Sequence, residues 1–532
     1  MNKNKVLERE HWGGHIGFIL AATGSAVGLG NIWKFPYIAG MNGGGAFVLI
    51  YLLCIAIIGL PIIICEITIG RRTQKNPYSA FRELAPSATN GTRAVGLLFL
   101  LMSLGMLCFS KFGLAAIFLL VSLAAFYTGW AFIGLMCVFT PFIILSYYGV
   151  VGGWTCGYFL KGLMGGLNFE TAEEAGEVFQ AFAGSAWTAV SFQLIFMLLT
   201  GAIVWFGIRN GIELASKILL PLLFLLLLTL VMRSLTLPGA EEGVRFLLSP
   251  DFSQLTPEGV LIALGHAFFS LSLGMGALIT YGSYMDRTRN IFTAGFSIVF
   301  LDTLISLIAG LAIFPAVFAM GMGPDVGPGL IFQIMPLTFT MMGESLAWIW
   351  VSMFFLLLVI AALTSAISML EVIVAFLIDE FKWNRKTAVV VTLAIAAFAG
   401  AMCSISVFDW HAFPWLERIF VFAFGGTKGN LFDVFDSFSS NYLLPLGGLG
   451  IALFVGWIWG TRYAVEEIRK GGQQYIDVNF FSLLAGLKDD PISQSRAHTL
   501  TLGTCWGIFI RFITPIAIII AFLHSIGWLS LG

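Results

Sequence analysis

The stretch Thr23-Gly24-Ser25-Ala26-Val27-Gly28-Leu29-Gly30-Asn31 interrupts the first long apolar segment of the chain. From Trp12 to Trp33 there is no Asp, Glu, Lys or Arg, so this segment is apolar enough to enter a bilayer. Its three glycines lower helix propensity in the middle of a membrane helix. Backbone groups that a helix does not satisfy cannot face lipid, so they line a protein cavity or bind a ligand. The alternative explanation is that the glycines only permit close helix packing.

The composition is that of a membrane protein with many spans. Of the 532 residues, 58% are hydrophobic and only 11% are charged, and the mean hydropathy is +0.92. The net charge of −1 offers no basic excess for binding nucleic acid. The seven cysteines are scattered through apolar runs without a CxxC pair, so we expect buried free thiols rather than disulfides or a metal site.

Apolar runs of spanning length predict an all-α protein with about eleven transmembrane helices. They lie near residues 13–39, 44–69, 131–163, 187–208, 212–236, 259–284, 292–320, 345–378, 386–406, 433–460 and 502–529. The polar segment Met1 to Glu10 has no cleavable signal pattern, so we expect the first span to remain as an anchor. Alternate connections are rich in Lys and Arg, such as the one with Arg71, Arg72, Lys75 and Arg82. This pattern predicts a cytoplasmic N-terminus and, with an odd number of spans, an outer C-terminus.

Residues Ala94 to Gly129 do not fit this scheme, because they are almost wholly apolar, with Lys111 as the only charge. A single extra crossing would invert every later connection and break the distribution of basic residues. The segment therefore crosses twice, dips into the membrane as a hairpin that turns near Ser110-Lys111-Phe112-Gly113, or lies at the interface. Two arms of about sixteen residues are short for full spans, which favours the hairpin.

A second glycine-broken segment lies in the sixth span, at Phe268-Phe269-Ser270-Leu271-Ser272-Leu273-Gly274-Met275-Gly276. If spans one to five and six to ten are two inverted repeats, both breaks fall in the first helix of a repeat. Paired interruptions at corresponding positions predict a substrate site near the middle of the membrane.

Isolated polar residues in other spans supply candidate ion ligands. Asp302 is the only charge between Arg289 and Asp325, so an unpaired structural role would be costly. Thr364 and Ser365 lie beside small residues in the eighth span, although hydroxyls in a helix usually bond back to the preceding turn. Sodium prefers carbonyl, hydroxyl and carboxylate oxygens, and these residues with the two breaks offer all three. Single glutamates in two other spans, Glu66 and Glu371, are expected in buried networks.

Several motifs together resemble the signature of the neurotransmitter:sodium symporter family. The main ones are Gly28-Leu29-Gly30-Asn31-Ile32-Trp33-Lys34-Phe35-Pro36-Tyr37 and Asn42-Gly43-Gly44-Gly45-Ala46-Phe47. Further matches are Arg9-Glu10-His11-Trp12, Tyr147-Tyr148, the Phe268–Gly276 run, Thr364-Ser365 and Asn441-Tyr442-Leu443-Leu444-Pro445-Leu446-Gly447-Gly448. The resemblance covers nearly the whole chain except residues 94–129 and the loop around 409–429. It implies the leucine-transporter fold, with two inverted five-helix repeats and one further C-terminal helix.

The resemblance also implies binding sites for a substrate and for two sodium ions. The first sodium site would use Ala26, Asn31, Ser270, Asp302 and the substrate carboxylate. The second would use Gly24, Val27, Ala361, Thr364 and Ser365. The substrate backbone would contact Ala26, Gly28, Leu29, Gly30, Tyr148, Phe269 and Ser270, and its side chain Ser25, Ile144, Ser272, Met275, Ser365 and Met369. An outer gate would pair Lys34 with Asp436 above Tyr148 and Phe269, and an inner gate would pair Arg9 with Asp379 near Trp12 and Tyr284.

Three positions depart from the usual pattern of the family. Lys34 stands where the outer gate usually has an arginine, and a lysine lacks the two-pronged hydrogen bonding of the guanidinium. Asp302 stands where the first sodium site usually has an asparagine, and His266 where many members have a glutamine. Chloride-dependent relatives bind the anion near positions matching Tyr51, His266, Ser270, Asp302 and Ser306. Ser306 points towards chloride, but Asp302 supplies the negative charge itself, so we expect no requirement for chloride. A protonated Asp302 in the return step, with proton antiport, is a further alternative.

The resemblance implies a sodium-coupled importer of amino acids, with large hydrophobic or aromatic substrates favoured, in the cell membrane. The expected division is a cytoplasmic tail at 1–11, the first repeat at 12–236 with the insertion at 94–129, an extracellular loop at 237–258, the second repeat at 259–461, a cytoplasmic loop at 462–501 and the last span at 502–532. The alternatives are an amino-acid sensor on the same fold and a transporter of another small zwitterion. An enzyme is not expected, because the chain has neither an HExxH nor a GxSxG motif.

Overall fold

The computed structural model describes residues 9–85, 112–321, 331–341, 346–407, 430–472 and 501–526, and outside these ranges residues 93, 96, 97, 100, 101, 103, 104, 477 and 529. Within them, eleven helical segments follow the apolar runs of the sequence. They are α1 (His15–Ala26 with Gly30–Met41), α2 (Gly45–Thr73), α3 (Ala131–Leu163), α4 (Ala186–Trp205), α5 (Ile208–Leu235), α6 (Pro257–Ser270 with Ala277–Gly282), α7 (Ile291–Ala319), α8 (Ala347–Phe381), α9 (Arg385–Ser406), α10 (Leu431–Arg469) and α11 (Leu502–Ser525).

Nine of these helices in the described part of the chain are continuous, long and apolar enough to cross a membrane, and α1 qualifies as a bent pair. The halves of α6 are each too short to qualify alone, since the helix is broken between Ser270 and Ala277. The short helices Pro77–Leu84, Phe112–Thr128, Ala172–Gly184, Ala240–Leu248 and Ile334–Met341 lie in the connections. The prediction of an all-α protein with many spans is confirmed.

Local sequence signals set where many of these helices begin. The side chains of Thr256, Asn290, Asn384 and Asn430 each accept a hydrogen bond from a backbone N–H in the first turn of the helix that follows. Such N-caps satisfy one of the backbone donors that a helix leaves free at its start. In α6, Pro257 directly follows the cap, at a position where a missing N–H costs nothing.

Two long helices form the interior against which the broken helices pack. In α3 and α8, 83% of the most apolar stretch is buried within the protein, whereas in α4, α5 and α11 only 39% is buried. The less buried helices expose Leu198, Leu225 and Ile516 among other large apolar side chains, as helices on a lipid-facing perimeter do. Most residues of the broken helices α1 and α6 are buried too, so these helices lie in the interior with α3 and α8.

One basic residue that we assigned to a connection lies inside the fold. Helix α2 continues to Thr73, and Arg71 is fully buried, with Nε 3.1 Å from Oε1 of the equally buried Glu467 at the end of α10. Arg71 also donates to the backbone carbonyl oxygens of Arg289 and Lys470. The sequence pattern could not reveal this, because a basic residue at the end of an apolar run is also typical of a solvated connection.

Candidate substrate and sodium site

A cavity lies between the two broken helices and the inner pair α3 and α8. Its atom-free space is about 370 Å³. It is lined by Ala26, Gly28, Gly30, Ile144, Tyr148, Phe269, Ser272, Met275, Ser365, Met369 and Leu444. The lining is mainly apolar and aromatic, with a few polar groups and interrupted backbone at one end, which is the usual composition of a site for a small organic molecule.

The polar end of the cavity is formed where α1 is interrupted. Helical bonding stops at Val27, which has extended backbone (φ −69°, ψ 110°), and resumes at Leu29. The N–H of Leu29 donates to the hydroxyl of Tyr148 over 3.1 Å. A Cβ atom on Gly28 would collide with Ser365 Oγ and lie 2.9 Å from the Tyr148 hydroxyl. Glycine therefore lets the backbone of α1 approach the side chains of α3 and α8 closely.

The interruption of α6 is more strained and is tied directly to that of α1. Ser272 has a left-handed backbone (φ 54°), a conformation that costs a non-glycine residue on the order of 1–3 kcal/mol. Its hydroxyl donates to the carbonyl oxygen of Ser25 over 3.0 Å, so the two breaks hold each other. The N–H of Gly274 donates to Oε1 of Glu66 over 2.9 Å, which places this buried glutamate in a structural network, as we expected.

The backbone of α10 packs on the same interruption. A Cβ on Gly447 would collide with the carbonyl of Gly274, and a Cβ on Gly274 would collide with the carbonyl of Leu444. Small residues at such contacts let helix backbones approach closely. Leu444 lies in the same contact and also lines the cavity. Leu444 is the one lining residue that our sequence analysis missed, and its position in the Asn441–Gly448 motif was the only signal available.

A buried polar cluster surrounds Asp302, whose carboxylate is fully buried. Oδ1 accepts a hydrogen bond from Asn31 Nδ2 over 2.7 Å, and Oδ2 accepts one from Ser270 Oγ over 3.1 Å. The hydroxyl of Tyr51 donates to Ser270 Oγ over 2.9 Å, and Asn31 Nδ2 lies 2.9 Å from Ser306 Oγ. Among the described residues no basic side chain pairs with Asp302. A carboxylate buried without a cation is costly, so this cluster is suited to bind one.

A second group of oxygens lies where α8 passes the break in α1. The hydroxyls of Thr364 and Ser365 lie 3.4 and 3.2 Å from the carbonyl oxygen of Val27. Thr364 Oγ1 also lies 3.1 Å from the carbonyl oxygen of Ala361. A Cβ on Gly24 would lie 3.2 Å from Thr364 Cβ, so α1 and α8 are in contact there. The five residues that we assigned to the second sodium site are thus brought together.

The candidate substrate residues divide into two sets. Ten of them line the cavity, while Ser25, Leu29 and Ser270 do not. Ser25 Oγ instead donates to Ser368 Oγ over 2.7 Å, and Ser270 belongs to the cluster around Asp302. Leu29 lines a neighbouring space and offers only its N–H towards Tyr148. These three residues are adjacent to the cavity rather than part of its wall.

The candidate outer-gate residues close the neighbouring space. Lys34 Nζ lies 3.3 Å from Asp436 Oδ1 and 3.9 Å from the centre of the Phe269 ring. Phe269 and Tyr148 line both the substrate cavity and this second space, whose atom-free volume is about 350 Å³. The two aromatic side chains therefore form the partition between them.

The candidate inner-gate residues are joined by a wider network. Arg9 Nη1 lies 2.7 Å from Asp379 Oδ2, and Arg9 Nη2 donates to Ser283 Oγ over 2.6 Å. The indole N–H of Trp12 donates to the carbonyl oxygen of Tyr281 over 2.9 Å. Glu371 accepts hydrogen bonds from Tyr284 over 2.7 Å and from both terminal nitrogens of Arg385 over 2.6 and 3.0 Å. This second glutamate is thus also part of a buried network, as predicted.

In the part of the chain that the structure describes, no group of three or more His, Cys, Asp or Glu side chains could hold a metal ion. The oxygen donors near the two breaks are amide, hydroxyl and carbonyl groups with one carboxylate. A low-charge set of this kind suits an alkali cation better than a transition metal, which prefers imidazole or thiolate ligands.

Sequence comparisons match the chain to sodium-dependent transporters. A model of the sodium:neurotransmitter symporter family matches residues 9–125 and 184–482. YhdH, an uncharacterized sodium-dependent transporter of Bacillus subtilis, is 37% identical over 522 residues, which cover 98% of this chain and 98% of that protein. An uncharacterized sodium-dependent transporter of Haemophilus influenzae is 32% identical over 527 residues, again with 98% of each chain covered.

A solved structure agrees with the fold over nearly the entire chain. The crystal structure of MhsT in complex with L-phenylalanine matches with a TM-score of 0.75 and 39% identity, and the match covers 97% of this chain and 100% of that one. The leucine-transporter fold that the motifs predicted is therefore confirmed.

Proposed function

The chain belongs to the sodium:neurotransmitter symporter family, whose members are transporters rather than enzymes, and from this premise we propose that it imports large hydrophobic or aromatic amino acids together with two sodium ions across the cell membrane. The observation that carries the proposal is the position of the cavity. It lies between two interrupted helices, with an apolar wall on one side and the non-helical backbone of α1 beside the Asp302 cluster on the other. Interrupted helices of this kind are how secondary transporters bind ions and carboxylated substrates.

The substrate carries a free α-carboxylate in this proposal. The N–H of Gly28 donates to Asn31 Oδ1 over 2.9 Å, and Asn31 in turn donates to Asp302. Only the Asn31 side chain therefore separates a carboxylate at this end of the cavity from Asp302 in the first sodium site. The sodium ion and the N–H groups of the half-helix would offset the negative charge of that carboxylate. Gly28 lines the cavity without a side chain of its own, whereas an aspartate, which amine-transporting relatives have here, would add a second carboxylate there.

The apolar wall supports a large hydrophobic side chain. Ile144, Met275, Met369 and Leu444 are each almost completely buried and face the cavity. The two methionines are flexible and make favourable contacts with aromatic rings, so they suit substrates of different shape. The related MhsT was crystallised in complex with L-phenylalanine, which is an aromatic amino acid of this kind.

Two sodium ions and no chloride complete the proposal. The Asp302 cluster would bind one ion through Ala26, Asn31, Ser270 and Asp302 and the substrate carboxylate, and the oxygens around Thr364 the other. The carboxylate of Asp302 supplies the negative charge that a chloride ion would bring, and it would repel an anion bound beside it. Chloride is therefore not required.

Alternating access follows from the two gates. Sodium and substrate entering from outside favour closure of Lys34 on Asp436, and release inside requires the Arg9–Asp379 pair to open. The N-terminus is then cytoplasmic and the C-terminus outside. Two sodium ions moving with a zwitterion carry two charges, worth about 4–5 kcal/mol at 100 mV. This alone supports a substrate gradient on the order of a thousandfold.

The deciding experiment is uptake of labelled L-phenylalanine into proteoliposomes that contain the purified protein. We expect accumulation with an inward sodium gradient, none when potassium replaces sodium, and full uptake when gluconate replaces chloride. Leucine and tryptophan should compete, and glycine, proline and glutamate should compete least. Binding without accumulation would favour the amino-acid sensor instead, and best competition by glycine, proline or glutamate would contradict the assignment of the side-chain pocket.

A further inference from the structure

The apolar segment between helix Pro77–Leu84 and α3 folds back on itself. Ser122 Oγ donates to the carbonyl oxygen of Gly96 over 2.7 Å, and Ser103 Oγ donates to the carbonyl oxygen of Ala115 over 2.7 Å. Ser103 lies seven residues after Gly96, and Ala115 lies seven residues before Ser122. The two bonds are therefore consistent with a single antiparallel register of the two arms. We call the described residues between 93 and 104, together with helix Phe112–Thr128, the inserted hairpin. The turn between its arms lies outside the described residues.

The inserted hairpin has small and polar residues inside and large apolar residues outside. Ser103, Ala115, Ser122 and Ala125 are buried, and Gly96 lies so close to Phe126 that a Cβ would be 2.9 Å from its ring. Among the described residues of the two arms, the exposed large apolar side chains are Leu97, Leu101, Leu104, Leu119, Leu120, Leu123, Phe126 and Tyr127. Helices that pack in lipid show this distribution, because small residues permit close contact and apolar residues face the acyl chains.

Hydrogen bonding within the hairpin agrees with a surrounding that contains no water. The hydroxyls of Ser103 and Ser122 each bond to a backbone carbonyl of the opposite arm. Thr128 Oγ1 bonds back to the carbonyl of Ala124 over 2.8 Å. These three hydroxyls thus satisfy their hydrogen bonds within the hairpin, as groups within the hydrocarbon core must.

Both ends of the inserted hairpin lie at the same end of the molecule, which is the inner-gate end. Helix Pro77–Leu84 contacts the inner gate, since Asn76 just before it donates its backbone N–H to Asp379 over 2.9 Å. The start of α3 packs on the same helix, because a Cβ on Gly134 would lie 2.5 Å from the carbonyl oxygen of Pro77. A segment that leaves and returns at one end of the molecule does not change the orientation of the spans that follow.

We propose that the inserted hairpin is a membrane-embedded element that enters the bilayer from the inner-gate side and has lipid acyl chains as its partner. Its second arm contacts α3, on which Leu135 and Phe139 are also exposed. Helix Phe112–Thr128 has 17 residues and is about 26 Å long, less than the ~30 Å of the hydrocarbon core. The hairpin therefore reaches deep into the membrane without needing to cross it. A solvated position would instead expose a continuous patch of leucines to water.

The exposed residues at the base of the hairpin fit this placement. Arg93 is exposed at the start of its first arm, and no acidic residue occurs from Arg93 to Thr128, whereas the exposed Arg82 on the preceding helix pairs with Glu380 over 3.4 Å. A basic side chain beside an apolar segment attracts the anionic headgroups of the cytoplasmic leaflet, an attraction worth about 1 kcal/mol.

Nitroxide spin labels on single cysteines test the proposal in proteoliposomes. Labels would be placed at Leu101, Leu120 and Leu123 in a chain whose seven native cysteines are alanine, with retained amino-acid uptake as the check on folding. Leu198 on α4 is the matched lipid-facing control, and Glu173, exposed on helix Ala172–Gly184, is the aqueous control. We expect the hairpin labels to collide with oxygen as often as the Leu198 label does, and with a water-soluble nickel complex at least tenfold less often than the Glu173 label.

Two outcomes would overturn the proposal. Nickel collision at Leu120 equal to that at Glu173 would place the hairpin in water. Protection from both oxygen and nickel would mean that protein, such as a second copy of the chain, covers it. If the cysteine-free chain does not fold, a photoreactive benzoylphenylalanine at Leu120 in the native chain gives the same answer through its products. Attachment of phospholipid supports the proposal, and attachment of protein alone, or no adduct at all, refutes it.

Discussion

Asn31 Nδ2 lies 2.7 Å from Asp302 Oδ1, so the break in α1 is bonded directly to a buried carboxylate on α7. Asn31 Oδ1 simultaneously accepts the N–H of Gly28 over 2.9 Å. One side chain therefore connects the backbone at the polar end of the cavity to the only charge in the cluster. We therefore expect a change of charge at Asp302 to affect the proposed site of the substrate carboxylate through Asn31.

Replacing Asp302 with asparagine keeps the shape of the cluster and removes its charge. We expect Asp302→Asn to raise the sodium concentration for half-maximal uptake at least about tenfold, because a charged ligand contributes more than 1.4 kcal/mol to cation binding in a buried site. Residual uptake should become stimulated by chloride, which would then supply the missing charge. The measurement is sodium-dependent uptake in chloride and in gluconate.

The matched control for this variant is Thr303→Val. Thr303 follows Asp302 directly, and within the described part of the chain its hydroxyl has no hydrogen-bond partner. Its sodium dependence should equal that of the wild type. Loss of wild-type uptake on removing chloride would contradict the chloride-independent proposal.

Adding an aspartate at Gly28 should abolish amino-acid transport. The first added carbon already collides with Ser365 Oγ, and the carboxylate would occupy the space proposed for that of the substrate. We expect the uptake of phenylalanine by Gly28→Asp to fall at least a hundredfold, and tryptamine not to compete with phenylalanine in the wild type. Gly265→Ala is the control, since a Cβ there meets no atom within 4 Å. Competition by tryptamine as strong as by tryptophan would refute the requirement for a carboxylate.

Shortening Leu444 should change which substrates are preferred. Leu444 is buried and lines the cavity, so Leu444→Ala enlarges the apolar wall. We expect leucine to lose about tenfold or more in kcat/KM while tryptophan loses less, because each unfilled methylene costs about 1–3 kcal/mol in such a pocket. Leu449→Ala on the same helix, outside the cavity lining, should change both substrates equally. An unchanged ratio of tryptophan to leucine would exclude Leu444 from the selectivity of the site.

Removing the cation of the outer gate should speed the escape of substrate. In Lys34→Ala both the contact with Asp436 and that with the Phe269 ring are lost. The first is partly exposed and worth about 0.2–1 kcal/mol, and the second about 0.5–1 kcal/mol. We expect bound phenylalanine to dissociate about three- to thirtyfold faster in sodium. Lys34→Arg should retain slow dissociation, as should Asp433→Asn on α10. Equal rates in Lys34→Ala and wild type would show that this pair does not hold the gate.

The proposed second sodium site includes the hydroxyl of Thr364. Valine has nearly the same shape as threonine but lacks this hydroxyl. Thr364→Val removes the oxygen that lies near the Val27 and Ala361 carbonyls. We expect the Hill coefficient for sodium to fall from near two towards one. Ser368→Ala, one turn further along α8 and outside the proposed ligands, should keep the wild-type value. A coefficient of one in the wild type would argue against two ions.

The spans and the two breaks could be predicted from the sequence because both follow from local physics. About twenty apolar residues are needed to cross a bilayer, and glycines within such a run weaken the helix. The sequence therefore predicted both the positions of α1 and α6 and their interruptions. Asp302 was also visible, since a charge inside an apolar span needs a partner or a function. The motifs around them then indicated the family.

Other features required the tertiary structure, because they depend on how distant helices are rotated against each other. Leu444 reaches the cavity only because the glycines of α10 pack on the backbone of α6. Arg71 is buried only because Glu467, far along the chain, lies beside it. The register of the inserted hairpin depends on two contacts between its arms. Sequence alone determined which segments enter the membrane and where they break, since each segment carries that information itself. The tertiary structure decided which side chains are in contact, because a contact between distant residues depends on the positions of both segments.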